Sequence, residues 1–210
     1  MANEIHNYPL EIFTIGDNDY LDVDFFNGVG YDSSKILGGN LNAGKYSALI
    51  DGPSVTGTIE QSIVPTLGSG SLTVPANYFN QGDTYRCIVK GMLGAHNNDQ
   101  ITVRIKTGST TLASSGPITL PTITDKVFSI IMDFTIRQVG PAGVAEIITA
   151  GEFTYNKDSA NIYEGQDFID VENSTFDTTI LNTLDVTVQY SSSNADNTMQ
   201  AMLMVLTKIK

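Results

Sequence analysis

The chain has 210 residues, 41% apolar and 16% charged, with a formal net charge of −12. That size and apolar share suit one large packed domain or two small ones and weigh against global disorder. Acids outnumber bases throughout, nine to two in residues 1–70 and fourteen to nine in residues 71–210, a field that repels a phosphate backbone and favours solubility.

No apolar run approaches the ~20 residues needed to cross a bilayer, and the N-terminal MANEIHNYPL lacks the basic and apolar regions of a signal peptide. Neither membrane insertion nor nucleic-acid binding is therefore expected. Cys87 is the single cysteine, which excludes an internal disulfide and a Cys-rich zinc site. Its setting, TYRCIVKG, predicts a buried small hydrophobe inside a strand.

Residues 1–52 differ from the rest. Extended pieces at Pro9–Ile15 and Tyr20–Phe26 are separated by glycines, and apolar positions are too sparse for an independent core. This part reads as an extended N-terminal arm, with a boundary at the turn Asp51-Gly52-Pro53. From Val55 onward turn signals recur at short intervals. Strands are predicted at Val55–Val64, from Ser71 to Val74 after a break at Gly68-Ser69-Gly70, and at Tyr85–Leu93. A polar loop, Ala95–Gln100, precedes the clean alternation of Ile101, Val103 and Ile105 with Thr102, Arg104 and Lys106. Short extended pieces follow at Thr111–Ala113 and Pro117–Leu120.

The strongest pattern is Lys126–Arg137, where Phe128, Ile130, Met132, Phe134 and Ile136 share one phase and only Val127 and Ile131 break the rule. The turn Gly140–Gly143 makes Val144–Asn156 its hairpin partner. Lys157–Asp177 holds six acids and reads as a long surface connection, and Leu184–Tyr190 alternates again. Thr198–Ile209 fits either a buried helix or a strand buried on both faces, and its all-β neighbours favour strand. About eight such strands predict an all-β antiparallel sandwich or barrel occupying residues 53–210.

Six segments in order resemble virion proteins of tailed phages and large aquatic viruses: Ser71–Gly91, Ile101–Ala113, Asp133–Gly140, Gly151–Lys157, Phe176–Tyr190 and Val205–Ile209. The resemblance implies a tumour-necrosis-factor/C1q-like jelly roll that forms homotrimers at fibre tips or capsid projections, in a virion assembled in the host cytoplasm. In such trimers the C-terminal strand lies near the threefold axis, which makes Met202, Met204 and Leu206 the interface candidates. Residues 1–52 would then attach to other virion proteins of the capsid or fibre.

No catalytic set emerges. The histidines are His6 and His96, and no GxSxG exists to build a Ser-His-Asp reading on His96. Asp17, Asp19, Asp22 and Asp24 are the best metal candidates, but an EF-hand loop starting at Asp22 has Phe26 and Asn27 where an oxygen ligand and glycine belong. Solvated strand edges explain these acids more simply. Tyr155 and Tyr163, flanked by acids, could form a shallow sugar-binding surface, although the chain has no tryptophan. The expectation is a non-enzymatic virion structural protein with no cofactor or metal. Its alternative is a receptor- or glycan-binding head that contacts a host surface through loops carrying His96, Asn97, Tyr155 and Tyr163.

Overall fold

A computed structural model describes the backbone of residues 20–26, 31–37, 44–157 and 162–210, and side chains from residue 44 onward. The chain divides into two units, Met1–Leu41 and Asn42–Lys210. In the first, β1 (Tyr20–Phe26) and β2 (Tyr31–Leu37) pair antiparallel from Tyr20↔Leu37 to Phe26↔Tyr31. The expected extended piece Pro9–Ile15, together with His6, Asp17 and Asp19, lies outside the described residues.

The second unit is a sandwich of two antiparallel sheets, and no described residue is helical. Its strands are β3 (Lys45–Ala48), β4 (Gln61–Ser62), β5 (Gly68–Ser71), β6 (Thr73–Val74), β7 (Thr84–Ala95), β8 (Gln100–Thr107) and β9 (Thr110–Thr119). They continue as β10 (Ile123–Gln138), β11 (Glu146–Asn156), β12 (Tyr163–Glu172), β13 (Asn182–Tyr190) and β14 (Thr198–Lys208). One sheet runs β12-β11-β10-β7-β14-β3-β5; the other runs β4-β13-β8-β9, with β6 also on β13.

The period-2 pattern of β10 explains its place between β11 and β7. Phe128, Ile130, Met132, Phe134 and Ile136 are all buried, facing a second sheet whose inward residues include Ile101, Val103 and Ile105 on β8 and Val186 and Val188 on β13. Val127 and Ile131, the two exceptions in the sequence, lie on the outward phase. Tyr190 pins the sheets together, its hydroxyl donating to the carbonyls of Gly94 (3.1 Å) and Thr198 (2.8 Å) across the core. Cys87 is buried on the inward phase of β7, and burial pushes its thiol up to about 12.

The structure departs from the predicted elements in specific places. Val55–Val64 is not one strand: it supplies an isolated bridge, Val55↔Met199, and the short β4. Gly68-Ser69-Gly70 pairs with β3 instead of breaking a strand, because a side chain at Gly68 would meet the Tyr46 ring at 2.1 Å. Tyr46 lies across that space and donates its hydroxyl to the Pro65 carbonyl at 2.9 Å. The two pieces at 111–113 and 117–120 are one strand, β9, whose register shifts opposite β8.

Lys157–Asp177 contains a full edge strand, β12, hidden because only Phe168 in it is buried. The contacts divide the chain at 41/42, and Tyr46 and Ser47, ahead of the turn Asp51-Gly52-Pro53, pair with Leu206 and Val205 of β14. Finally, β14 is not buried on both faces. A bulge between Ala201 and Leu203 resets its phase, so that Met199, Ala201, Met204 and Leu206 enter the core while Met202 and Leu203 both face out.

Candidate functional site

The strand registers bring several loops to one end of the sandwich. Ile123 pairs Ala95, Thr198 pairs Gly94 and Tyr190 pairs Ile101, so the turn 96–99 sits beside the connection 191–197. Asp99 organises this end. Its Oδ2 accepts the Ser192 hydroxyl at 2.6 Å and the Asn197 side-chain amide at 2.8 Å. The buried Asn197 side chain also accepts the His96 backbone N–H at 2.9 Å. These hydrogen bonds, Ser192 first and Asn197 next, hold the Asp99 carboxyl below its ordinary value.

His96 Nδ1 stands 3.9 Å from Asp99 Oδ2, beyond hydrogen-bond range and close enough to pair only when protonated. Ser, His and Asp are therefore neighbours without being a relay: the serine donates to the aspartate, and no base nitrogen accepts its proton. Chemically this is a clamp that holds two loops together, with the exposed His96 and Asn97 at its outer side. The roles of Asn197 and Ser192 are invisible in sequence because their partner Asp99 is more than ninety residues away.

The other tyrosine-bearing candidate divides. Tyr155 is buried, its ring against Phe153 at 5.6 Å, and its hydroxyl donates to Glu164 at 3.1 Å. Burial and then the neighbouring carboxylate push it up to about 12. Tyr155 is thus a core residue and cannot offer its face to a sugar. Tyr163, at the start of β12, is 74% exposed. Lys157 pairs with Glu164 beside it.

The interface candidates also separate. Met204 and Leu206 fill the domain's own core and are not available to another subunit, whereas Met202 is half exposed. It joins Leu203 and Val127 on the open face of the seven-stranded sheet, where β7 presents Arg86, Ile88, Lys90 and Met92, and β10 presents Ile131 and Asp133. Arg86 donates two hydrogen bonds of 2.8 Å to Asp133 across the strands. Toward β12 the face sinks into a shallow concavity of about 580 Å³ whose lining includes Ile131, Asp133, Ala150, Glu152, Asp167 and Ile169.

Between the sheets, toward the opposite end, lies a small apolar gap of about 50 Å³ lined by Phe79, Phe134, Phe176 and neighbours, with no reactive group at hand. Asp22 and Asp24 fall on β1, and among the described residues no three His, Cys, Asp or Glu side chains gather as metal ligands do.

No family model matches the chain, and no curated protein matches it. Among solved structures it is similar to "Structure of the CBM2 module of Lactobacillus casei BL23 phage J-1 evolved Dit" at 9% identity and a TM-score of 0.24. That match covers 64% of this chain and 66% of the other, just under two thirds of its length. The class of this domain rests on its own strand pairing: an all-β antiparallel sandwich of two sheets.

Proposed function

We propose that the chain is a non-enzymatic structural protein of a virion, with a tumour-necrosis-factor/C1q-like jelly-roll head that assembles as a homotrimer. Its N-terminal residues anchor the head to the capsid or a fibre. The observation that carries the reading is the bulge in β14, which turns two adjacent large apolar residues, Met202 and Leu203, out of the core onto an open sheet face. A monomer gains nothing from that arrangement, and an assembly covers it. The ordered resemblance of residues 71–209 to virion proteins supports the same reading, as does a loop end built as a hydrogen-bonded clamp rather than a reactive centre. Light scattering on the eluting full-length protein tests it: a trimer at micromolar concentration is expected, and a stable monomer overturns it.

A second reading, a receptor- or glycan-binding head, is favoured by one observation. The exposed His96 and Asn97 and the exposed ring of Tyr163 lie on loops and strand starts at the same end of the sandwich. Adsorption of purified protein to host cells, lost in Tyr163→Ala or Asn97→Ala, would support attachment. No adsorption by the unaltered protein would favour decoration.

A further inference from the structure

The open face of the seven-stranded sheet carries charges that the domain leaves unmatched. Glu152 on β11 and Asp167 on β12 stand directly opposite each other in the ladder, a like-charge pair that costs stability. Neither has a cation partner among the described residues. On the other half of the same face Lys90, exposed on β7, has no acid partner among them either. The register keeps the two groups apart: Glu152 pairs Ile131, Ile131 pairs Ile88, and Lys90 lies one outward row further along β7.

Shape follows charge. Around Lys90 the surface is raised by Leu203, its direct cross-strand neighbour on β14, and by the bulged Met202. Around Glu152 and Asp167 it is hollowed, because Ala150 between Ile169 and Asp133 supplies only a methyl group. Five strands about 4.8 Å apart, with four outward rows roughly 6.7 Å apart, give a face of about 650 Å². A contact between two halves uses about 325 Å² of it on each copy, below the ~800 Å² per partner of a standard interface, so charge and shape rather than area single out this face.

We propose that this face is where copies of the chain meet. The raised, cationic half of one copy (Lys90, Met202, Leu203) seats in the hollow, acidic half of the next (Ala150, Glu152, Asp167, Ile169). Leu203 and Met202 fill the concavity, and Lys90 relieves the repulsion between Glu152 and Asp167. The proposal rests on the oligomeric reading above and adds the surface and its polarity. The contact is heterologous when one half of a copy engages one neighbour and the other half the next, and it closes as a ring only where the rotation between copies returns to the first.

The test uses the full chain, measuring mass by light scattering across a dilution series, with circular dichroism melts to verify folding. Lys90→Glu is expected to weaken association about tenfold or more, Glu152→Lys to do the same, and the double variant Lys90→Glu with Glu152→Lys to restore it. Leu203→Asp is expected to give a monomer. If it fails to fold, the charge exchange at the exposed Lys90 and the outward-facing, partly exposed Glu152 still decides. An oligomer indifferent to both single charge reversals overturns this surface while leaving the oligomeric reading intact. A monomeric unaltered protein, or failure of the double variant to recover when both singles dissociate, overturns the proposal as well, and the first of these removes the oligomeric reading with it.

Discussion

Tyr190 shows how much one atom holds in this sandwich. Its ring belongs to the core, and its hydroxyl, donating to the Gly94 and Thr198 carbonyls, ties β13 to the paired ends of β7 and β14. Tyr190→Phe keeps the volume and strips the donor from two strand-end carbonyls, so a loss of about 1–3 kcal/mol is expected in urea unfolding. Phe134, buried on the inward phase of β10, is the harsher probe: Phe134→Asp buries an unpaired carboxylate and is expected to abolish folding, as read by the loss of a cooperative melt. That position was legible from alternation alone. Tyr155 was not, because tyrosine suits a core and a sugar platform equally, and only the approach of Phe153 and Glu164 tells which. The Asp99 clamp was not legible either, since its partners are brought together by the fold.

Acid sensitivity has a residue-level source in Glu60. Its carboxylate accepts Lys106 Nζ at 2.8 Å and the Thr187 hydroxyl at 2.7 Å, with Arg104 3.4 Å away. The Lys106 hydrogen bond is the chief cause of its lowered pKa, against the opposing effect of burial. A carboxyl whose folded pKa lies below its unfolded value, ~4.3, stabilises the protein above that value. That contribution disappears as pH falls through the lower folded value. The unaltered protein is therefore expected to lose more stability than Glu60→Gln when urea unfolding is compared between about pH 5 and pH 3.

Among elements, β14 illustrates what periodicity can and cannot deliver. Its composition left helix and strand both open, and its all-β surroundings pointed to strand. What no pattern could show is the bulge, because one extra residue reverses the phase midway. The partner strand records it: a side chain at Gly91, opposite Ala201, would meet the Gln200 carbonyl oxygen at 1.9 Å and the Ala201 Cα at 2.9 Å. Gly91→Ala therefore forces β7 and β14 apart where they are most closely fitted, with an expected cost of about 1–3 kcal/mol in thermal or urea unfolding. A smaller effect than a typical surface substitution, within about 0.5 kcal/mol, would mean that the bulge gives way easily. Edge strands were the least legible elements. β12 buries one residue and lines its inward phase with polar groups that reach β9: Gln166 donates to the Ser115 carbonyl, and Asp170 accepts the Ser114 N–H. Such a strand shows no apolar alternation, and its acids made it resemble a loop.

At the scale of the molecule, the position of the boundary can be tested by cutting. The sequence placed it at the turn Asp51-Gly52-Pro53, where the punctuation is strongest, but turn signals mark bends within a domain as readily as borders between domains. Residues 45–55 run along the free side of β14. Tyr46 and Ser47 pair Leu206 and Val205, the Gly52 N–H donates to the Ala201 carbonyl at 2.7 Å, and Val55 and Met199 exchange bonds of 2.8 and 3.0 Å. Tyr46 is buried there as well, worth about 1.5–3 kcal/mol for a large side chain removed from water. A chain of residues 42–210 keeps all of these and is expected to melt cooperatively with its β-sheet circular dichroism retained. A chain of residues 53–210 loses β3 and orphans β5. It also exposes an edge of β14 beside the outward Met202 and Leu203, so it is expected to melt at markedly lower temperature or to aggregate. Equal melting of the two truncated chains would show that β3 contributes little to the sheet. It would also return the boundary to the glycine-proline turn, leaving residues 42–52 to the arm.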